Sequence, residues 1–334
     1  MLIALSIVTL LLMLSMAAIT FGGPDMPPPM PGIGERYRSI DFTDLPPLQH
    51  FEADDGERLA YRAYAPASVH AQGSVVLIHG SSGSGRGMHP LAKGLAGAGY
   101  TVFSLDIRGH GASGSPGTIA YVGQLEDDLA AFVRQVGPAS PSVLVGFSAG
   151  GGFALRFAGS ERQQMFDGYL LLSPFLSEDA PTLRPGGGGW VNVGMPRMLA
   201  LSVFNALGIR RFNDLPVVRF ALNKEAQAML TPAYSFSLAS NFRPLRDYRR
   251  NIGAVRCPCA VIAGLDDEVF YTDRLEPTFR SLGQSWPVTL LPGISHADLV
   301  LNAKGISATV RAVAALHMPA MRKHVPALPP DRDR

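Results

Sequence analysis

The stretch Val143-Leu144-Val145-Gly146-Phe147-Ser148-Ala149-Gly150-Gly151-Gly152 decides how the rest of the chain reads. A short apolar run rich in β-branched residues enters a serine with a glycine two positions away on either side. Phe153-Ala154-Leu155-Arg156-Phe157-Ala158 then continues as a helix-like segment. Strand, sharp turn and helix are the context that a G-x-S-x-G nucleophile elbow requires. The turn lifts the Ser148 hydroxyl off the sheet edge. Gly146 and Gly150 remove the side chains that would clash where strand and helix crowd together. The serine then sits at a helix N-terminus, whose partial positive charge favours a developing anion. The same pattern occurs by chance in glycine-rich turns, so the partners of Ser148 carry the decision.

Outward from the elbow, apolar strands alternate with amphipathic helices. Gln49 to Ala65 reads as two short strands around the turn signal Asp54-Asp55-Gly56. Ser74–Ile78, Tyr100–Ile107, Tyr169–Leu172, Cys259–Ala263 and Val288–Leu291 read as further strands. Pro90–Ala98 reads as a helix stopped by Gly99. Tyr121–Val136 carries Val122, Leu125, Leu129, Phe132, Val133 and Val136 on one helical face. Helices also follow the last two strands, around Asp273–Leu282 and Ala297–Leu316. This alternation predicts a mainly parallel central sheet with helices on both faces. Pro174 to Arg256 interrupts it with no clear strand. That stretch holds Gly186-Gly187-Gly188-Gly189, expected to be mobile, and a series of aromatics beginning with Trp190. It reads as an inserted helical cap, with ten Lys/Arg against five Asp/Glu between Glu178 and Arg250. Either its basic face is simply solvated, or it forms a lid over an acyl pocket with a basic rim for anionic groups.

A serine hydroxyl needs a base to take its proton, and the base needs a carboxylate to orient it. On parallel sheets these partners follow the serine in the order acid, then histidine. Ala263-Gly264-Leu265-Asp266-Asp267-Glu268-Val269 puts acids just past a strand's C-terminal end, where sites on open α/β sheets form. Leu291-Pro292-Gly293-Ile294-Ser295-His296-Ala297 puts a histidine in the loop after the last strand. His296 is the only histidine between Ser148 and His317. The reach toward His296 favours Asp267 over Asp266, with Glu268 a loop charge and Asp179 a distant alternative. An oxyanion needs two preorganised N–H donors. Ala149, just after the serine, is one candidate. Ser81, in His79-Gly80-Ser81-Ser82-Gly83-Ser84-Gly85, is the other. No G-x-x-x-x-G-K-[ST] is present, which argues against phosphate binding by that loop. His79 reads as structural.

Through these residues the chain resembles the α/β-hydrolase superfamily, in the branch of monoacylglycerol lipases, lysophospholipases and serine aminopeptidases of the S33 type. The resemblance rests on His79-Gly80, Asp106-Ile107-Arg108-Gly109-His110-Gly111-Ala112-Ser113, Gly146–Gly150, Asp267 and His296, and runs roughly from Phe51 to Leu316. Two features depart from it. Phe147 precedes the serine where many lipases of the branch carry histidine, and the oxyanion loop reads H-G-S-S-G-S-G rather than H-G-x-G-E-H. The resemblance implies a serine hydrolase of carboxylic esters, with lipid or lysophospholipid-like acyl esters as the favoured small-molecule substrates. In it, Ser148, His296 and Asp267 act as a triad and Ser81 and Ala149 hold the oxyanion. No cofactor and no metal are expected. An aminopeptidase or amidase using the same triad is the alternative, and a non-catalytic binding member of the fold is a more distant one.

Composition narrows the classes further. A net charge of +2 over 334 residues is far from the basic balance of an electrostatic nucleic-acid binder, so no nucleic-acid partner is expected. Cys257 and Cys259 lie too close for an ordinary disulfide and are too few for a zinc site. Residues 1–21, MLIALSIVTLLLMLSMAAITF, carry no charged side chain and reach the length of a bilayer-spanning helix. A single-pass N-terminal membrane anchor is therefore expected, with a cleaved signal peptide and a secreted or periplasmic protein as the alternative. Pro24, Pro27, Pro28, Pro29 and Pro31 make residues 22–36 a semi-rigid linker. Residues 37–320 then form the hydrolase domain, with the cap at about 176–255, and residues 321–334 form a polar tail.

Overall fold

A computed structural model describes residues 2–30, Tyr37 and residues 40–317. Residues 31–36 of the expected linker and the expected tail, 321–334, lie outside the described residues. Leu2–Phe21 forms helix α1. Some side chains in its first half are not described, and among the described residues no helix is long and apolar enough to cross a membrane. The expected bilayer span thus has no structural support.

The first six strands are β1 (Leu48–Glu52), β2 (Arg58–Tyr64), β3 (Ser74–Ile78), β4 (Thr101–Leu105), β5 (Ser142–Phe147) and β6 (Gly168–Leu172). Between β3 and β6 lie helices α2 (His89–Gly97), α3 (Gln124–Val136) and α4 (Ala149–Ala158). The cap follows, with strands β7 (Val191–Val193), β8 (Pro216–Phe220) and β9 (Ala233–Ser235). Its helices are α5 (Met195–Ala206), α6 (Lys224–Gln227), α7 (Phe236–Asn241) and α8 (Tyr248–Ala254). The chain closes with β10 (Cys259–Gly264), α9 (Leu275–Ser281), β11 (Val288–Leu291), α10 (Asp298–Leu301) and α11 (Ala303–His317).

The central sheet has eight strands in the order β1-β2-β4-β3-β5-β6-β10-β11. The hairpin β1–β2 and the β2–β4 pair are antiparallel, and the other pairs are parallel. Strands β3, β5 and β6 are buried at every position, which accounts for their unbroken apolar runs. One face is packed by α3 and α4 through Leu125, Leu129, Phe132, Phe153 and Phe157. The other is packed by α2 and α11 through Leu91, Leu95, Ala308 and Val313. Two expected helices are shorter. Gly123, at φ 114°, delays the start of α3, leaving Tyr121 and Val122 exposed. Asn302 turns extended and splits α10 from α11.

The cap corrects the expectation of a purely helical insertion. Its strands β7, β8 and β9 form an antiparallel sheet. Strands of three to five residues are too short to leave a period-two signal in the sequence. Of the four glycines, Gly186 and Gly189 face open space while Gly188 is held close. All have positive φ, and a Cβ on Gly188 would fall 2.3 Å from the Glu268 carbonyl oxygen.

The Asp106–Ser113 loop laces the sheet edge together. Asp106 accepts hydrogen bonds from the Gly85 and Ala112 N–H groups. Ser113 Oγ accepts one from Ala60 N–H. Buried Arg108 makes a fork to Asp128 at 2.8 and 2.8 Å and a second pair of bonds to Asp55 in the β1–β2 turn. Removing the guanidinium strands a buried carboxylate. We expect Arg108→Met to lower unfolding free energy by roughly 3–5 kcal/mol. A urea melt within about 1 kcal/mol of the parent, the ordinary scale of a single substitution, would contradict that role.

Candidate functional site

Ser148 stands between β5 and α4 at φ 56°, ψ −117°, outside the ordinary regions for a side-chain-bearing residue. The elbow fits only because its neighbours lack Cβ atoms. A Cβ on Gly146 would lie 2.1 Å from the Gly150 carbonyl oxygen, and one on Gly150 would lie 2.3 Å from the His79 carbonyl oxygen. The Ser148 N–H donates to Leu172 O, and its carbonyl accepts from Gly152 and Phe175, so the turn is held on both sides.

His296, in the loop between β11 and α10, approaches Ser148 with Nε2 at 3.0 Å from Oγ. Its Nδ1 donates to Asp267 Oδ2 at 2.8 Å. Asp267, just past β10, is 1% exposed, and its Oδ1 accepts from the N–H groups of Val269 and Phe270. Burial alone would raise the Asp267 pKa. The adjoining His296 ring and the Phe270 and Val269 donors outweigh it and hold the carboxyl below its ordinary range. Asp266 instead faces solvent, while Glu268 accepts from the His296 N–H. Asp179 bonds locally to Ser177, away from the histidine. Serine, histidine and aspartate therefore come together from three loops at the C-terminal edge of the sheet. Among the described residues, neither Ala149 N–H nor Ser81 N–H has a hydrogen-bond acceptor.

A cavity of about 550 Å³ opens above Ser148 and His296, within the size range of small-molecule sites. Trp190, Leu222, Met229 and Leu230 of the cap line it, as do Ser81 and Phe147. The Phe147 ring lies 4.8 Å from the His296 ring, so the departure at that position supplies an apolar wall against the histidine.

Three cap residues that sequence reasoning missed hold the loop carrying Ser81 and Ser82. Trp190 Nε1 donates to Ser81 Oγ at 2.9 Å. The Tyr234 hydroxyl accepts from Ser82 N–H at 2.6 Å and donates to His110 Nε2 at 2.5 Å. Thr231 exchanges bonds with Ser82 through the Thr231 N–H and the Ser82 hydroxyl. Ser82 itself is at φ 65°, so the cap secures a backbone shape that a free loop would leave. These partners lie 109 to 152 positions away, and no local pattern announces them. His79 is structural, as expected. Its Nδ1 donates to Gly80 O, its Nε2 accepts from Ile107 N–H, and its ring packs edge-on to His110.

A family model described as serine aminopeptidase, S33, matches residues 69–300. The chain belongs to that family. It is an α/β-hydrolase, as the sheet order and the elbow require. A monoacylglycerol lipase of Mycolicibacterium smegmatis (strain ATCC 700084 / mc(2)155) is 32% identical over 113 residues, 32% of this chain and 39% of the relative. The match thus spans well under half of that relative's length. Among solved structures, a soluble variant of the monoglyceride lipase from Saccharomyces cerevisiae superposes with a TM-score of 0.63. It is 19% identical over 83% of this chain and 97% of its own. The Paleococcus ferrophilus monoacylglycerol lipase gives 0.57 at 19% identity, over 77% of this chain and 99% of its own. At such identities these structures speak for the fold.

The paired histidines beneath the loop carrying Ser81 and Ser82 should make stability depend on pH. Burial lowers the pKa of both His79 and His110, and for His110 the neighbouring His79 adds to it. The folded rings thus resist protonation, whereas the unfolded chain takes up protons near the ordinary imidazole pKa of about 6.5. Their contribution is complete above that pH and is lost as pH falls below it, by up to about 1.4 kcal/mol per pH unit for each ring. Denaturant melts between about pH 7.5 and 5 should show the decline, and His110→Gln should reduce its slope. A flat profile would contradict the assignment.

Proposed function

We propose that the chain hydrolyses carboxylic esters through an acyl-enzyme on Ser148, with lipid or lysophospholipid-like acyl esters as substrates. The observation that carries this reading is the Ser148–His296–Asp267 line opening into a largely apolar cavity. His296 Nε2 takes the hydroxyl proton as Ser148 Oγ attacks the acyl carbonyl. The N–H groups of Ala149 and Ser81 receive the oxyanion. Collapse breaks the ester bond, and His296 hands its proton to the leaving alcohol. Water then repeats the sequence on the acyl-enzyme and releases the carboxylic acid. Asp267 keeps the imidazole in the tautomer that this exchange needs.

One observation favours a second reading, cleavage of aminoacyl amides. The matching family model is described as a serine aminopeptidase, and Glu225 lines the cavity. Hydrolysis assays with acyl esters beside aminoacyl amides separate the two. In either case Ser148→Ala should abolish turnover and labelling by a fluorophosphonate, and His296→Ala should slow both by roughly 10⁴-fold or more. Asp267→Asn should be severe, whereas Asp266→Asn should stay within about 0.5 kcal/mol of the parent, as for an exposed residue. Strong labelling of Ser148→Ala, or the reverse order of the two aspartates, overturns these roles.

The proposal extends to location: α1 brings the protein to a lipid bilayer as a single-pass anchor. Its uncharged sequence supports this, as do the exposed apolar residues Met195, Leu199, Val203 and Leu207 on the outer side of the α5 region, against which α1 packs. Full-length protein should remain in the membrane pellet through a high-pH carbonate wash. Recovery of a soluble form beginning near Thr20 would mean that the segment is a cleaved signal.

A further inference from the structure

The proline-rich segment after α1 does more than space the helix from the body. Its start is pinned to the cap. Arg197 donates to the Ile19 and Thr20 carbonyls at the end of α1 and to Pro216 O. A Cβ on Gly23 would touch the Arg197 guanidinium, and one on Gly194 would touch the Gly23 backbone, so the two strands of chain pass in direct contact. Asp25 N–H then donates to Asn192 Oδ1 of β7, Pro27 is buried, and Met30 N–H donates to Ala221 O. These bonds carry the segment along the cap to the cavity above Ser148, and Pro29 and Met30 line it.

Residues further along the sequence line the same cavity. Tyr37, Ile40 and Phe42 line it next to Arg86 and Gly87. The Arg86 guanidinium stacks over Phe42 at 4.2 Å, and a Cβ on Gly87 would come within 3.3 Å of Tyr37 Cε1. Burial pushes the Tyr37 phenol up to about 12, in keeping with an apolar surrounding. The side chains of Met30 and Ile40 supply apolar wall.

We propose that the described residues Met30, Tyr37, Ile40 and Phe42 together act as an N-terminal strap, the specificity-determining wall of the substrate cavity, and set the length of acyl chain that reaches Ser148. The inference rests on the reading of Ser148 as a nucleophile toward acyl groups. A buried methylene contributes about 0.8 kcal/mol, about fourfold in rate when realised at the transition state. A wall that moves by a few carbons therefore shifts selectivity by one to two orders of magnitude.

The experiment measures how fast p-nitrophenyl alkylphosphonates, from ethyl to dodecyl, capture Ser148 in the full-length protein. Capture needs the nucleophile but neither ester nor amide turnover. Met30→Trp should lower the dodecyl-to-ethyl ratio of capture rates at least tenfold. Met30→Ala should move the fall-off to longer chains. Ile40→Trp approaches the same cavity from the other segment and covers the case in which Met30→Trp disturbs folding, which the ethyl rate reports. Unchanged long-to-short ratios in these variants overturn the strap's role and leave the nucleophile reading standing. A parent protein that captures no phosphonate overturns the nucleophile reading, and the strap's role with it.

Discussion

The close approach of strand and helix around Ser148 is the constraint on which the rest of the structure depends. At Gly146 and Gly150 a single added carbon would sit little more than 2 Å from a backbone oxygen. That crowding holds Ser148 at positive φ and projects its hydroxyl past the sheet edge. With the serine fixed there, the parallel order of β5, β6, β10 and β11 brings the loops after β10 and β11 to the same edge. Asp267 and His296 need only short reaches from their strands to meet it. The elbow is tight because the sheet is covered on both faces: α4 must lie flat on β5, and its glycine-rich first turn allows this.

The cap acts on the site by more than covering it. Trp190, Tyr234 and Thr231 grip the loop that carries Ser81 and Ser82, and the two buried histidines below transmit that grip to the Asp106–Ser113 loop. The result is a continuous hydrogen-bonded path from a cap strand to the sheet edge. A cap displaced from this position would release Ser82 from its unusual backbone angle and with it the direction of the neighbouring N–H. Cover and catalytic geometry are therefore one mechanical unit in this chain.

The parts of the molecule that follow from local pattern were legible in the sequence. The buried strands declared themselves as unbroken apolar runs. Ser148, Asp267 and His296 each follow a strand, where chain order alone picks them out as candidates. Even the choice of Asp267 over Asp266 follows from the reach the loop must make, and Asp266 lies in solvent while Asp267 meets His296. What escaped notice depends on long-range contact. The short strands β7–β9 gain their pairing only from one another. Tyr234 reads as one more aromatic until the fold sets it against Ser82, 152 positions away. The proline segment reads as a spacer because proline excludes helix and interior strand, yet nothing in that exclusion says what the segment lies against.

The docking of α1 onto the cap also bears on the order in which the molecule can be assembled. The carbonyls of Ile19 and Thr20 wait for Arg197, 178 and 177 residues further along. At about 5–20 residues per second of synthesis, that partner emerges on the order of ten seconds or more after the helix itself. During that interval an uncharged twenty-residue helix has no folded surface of its own chain to rest on. The cavity wall contributed by Met30 thus waits for Ala221 to be made, although it is itself among the first pieces synthesised.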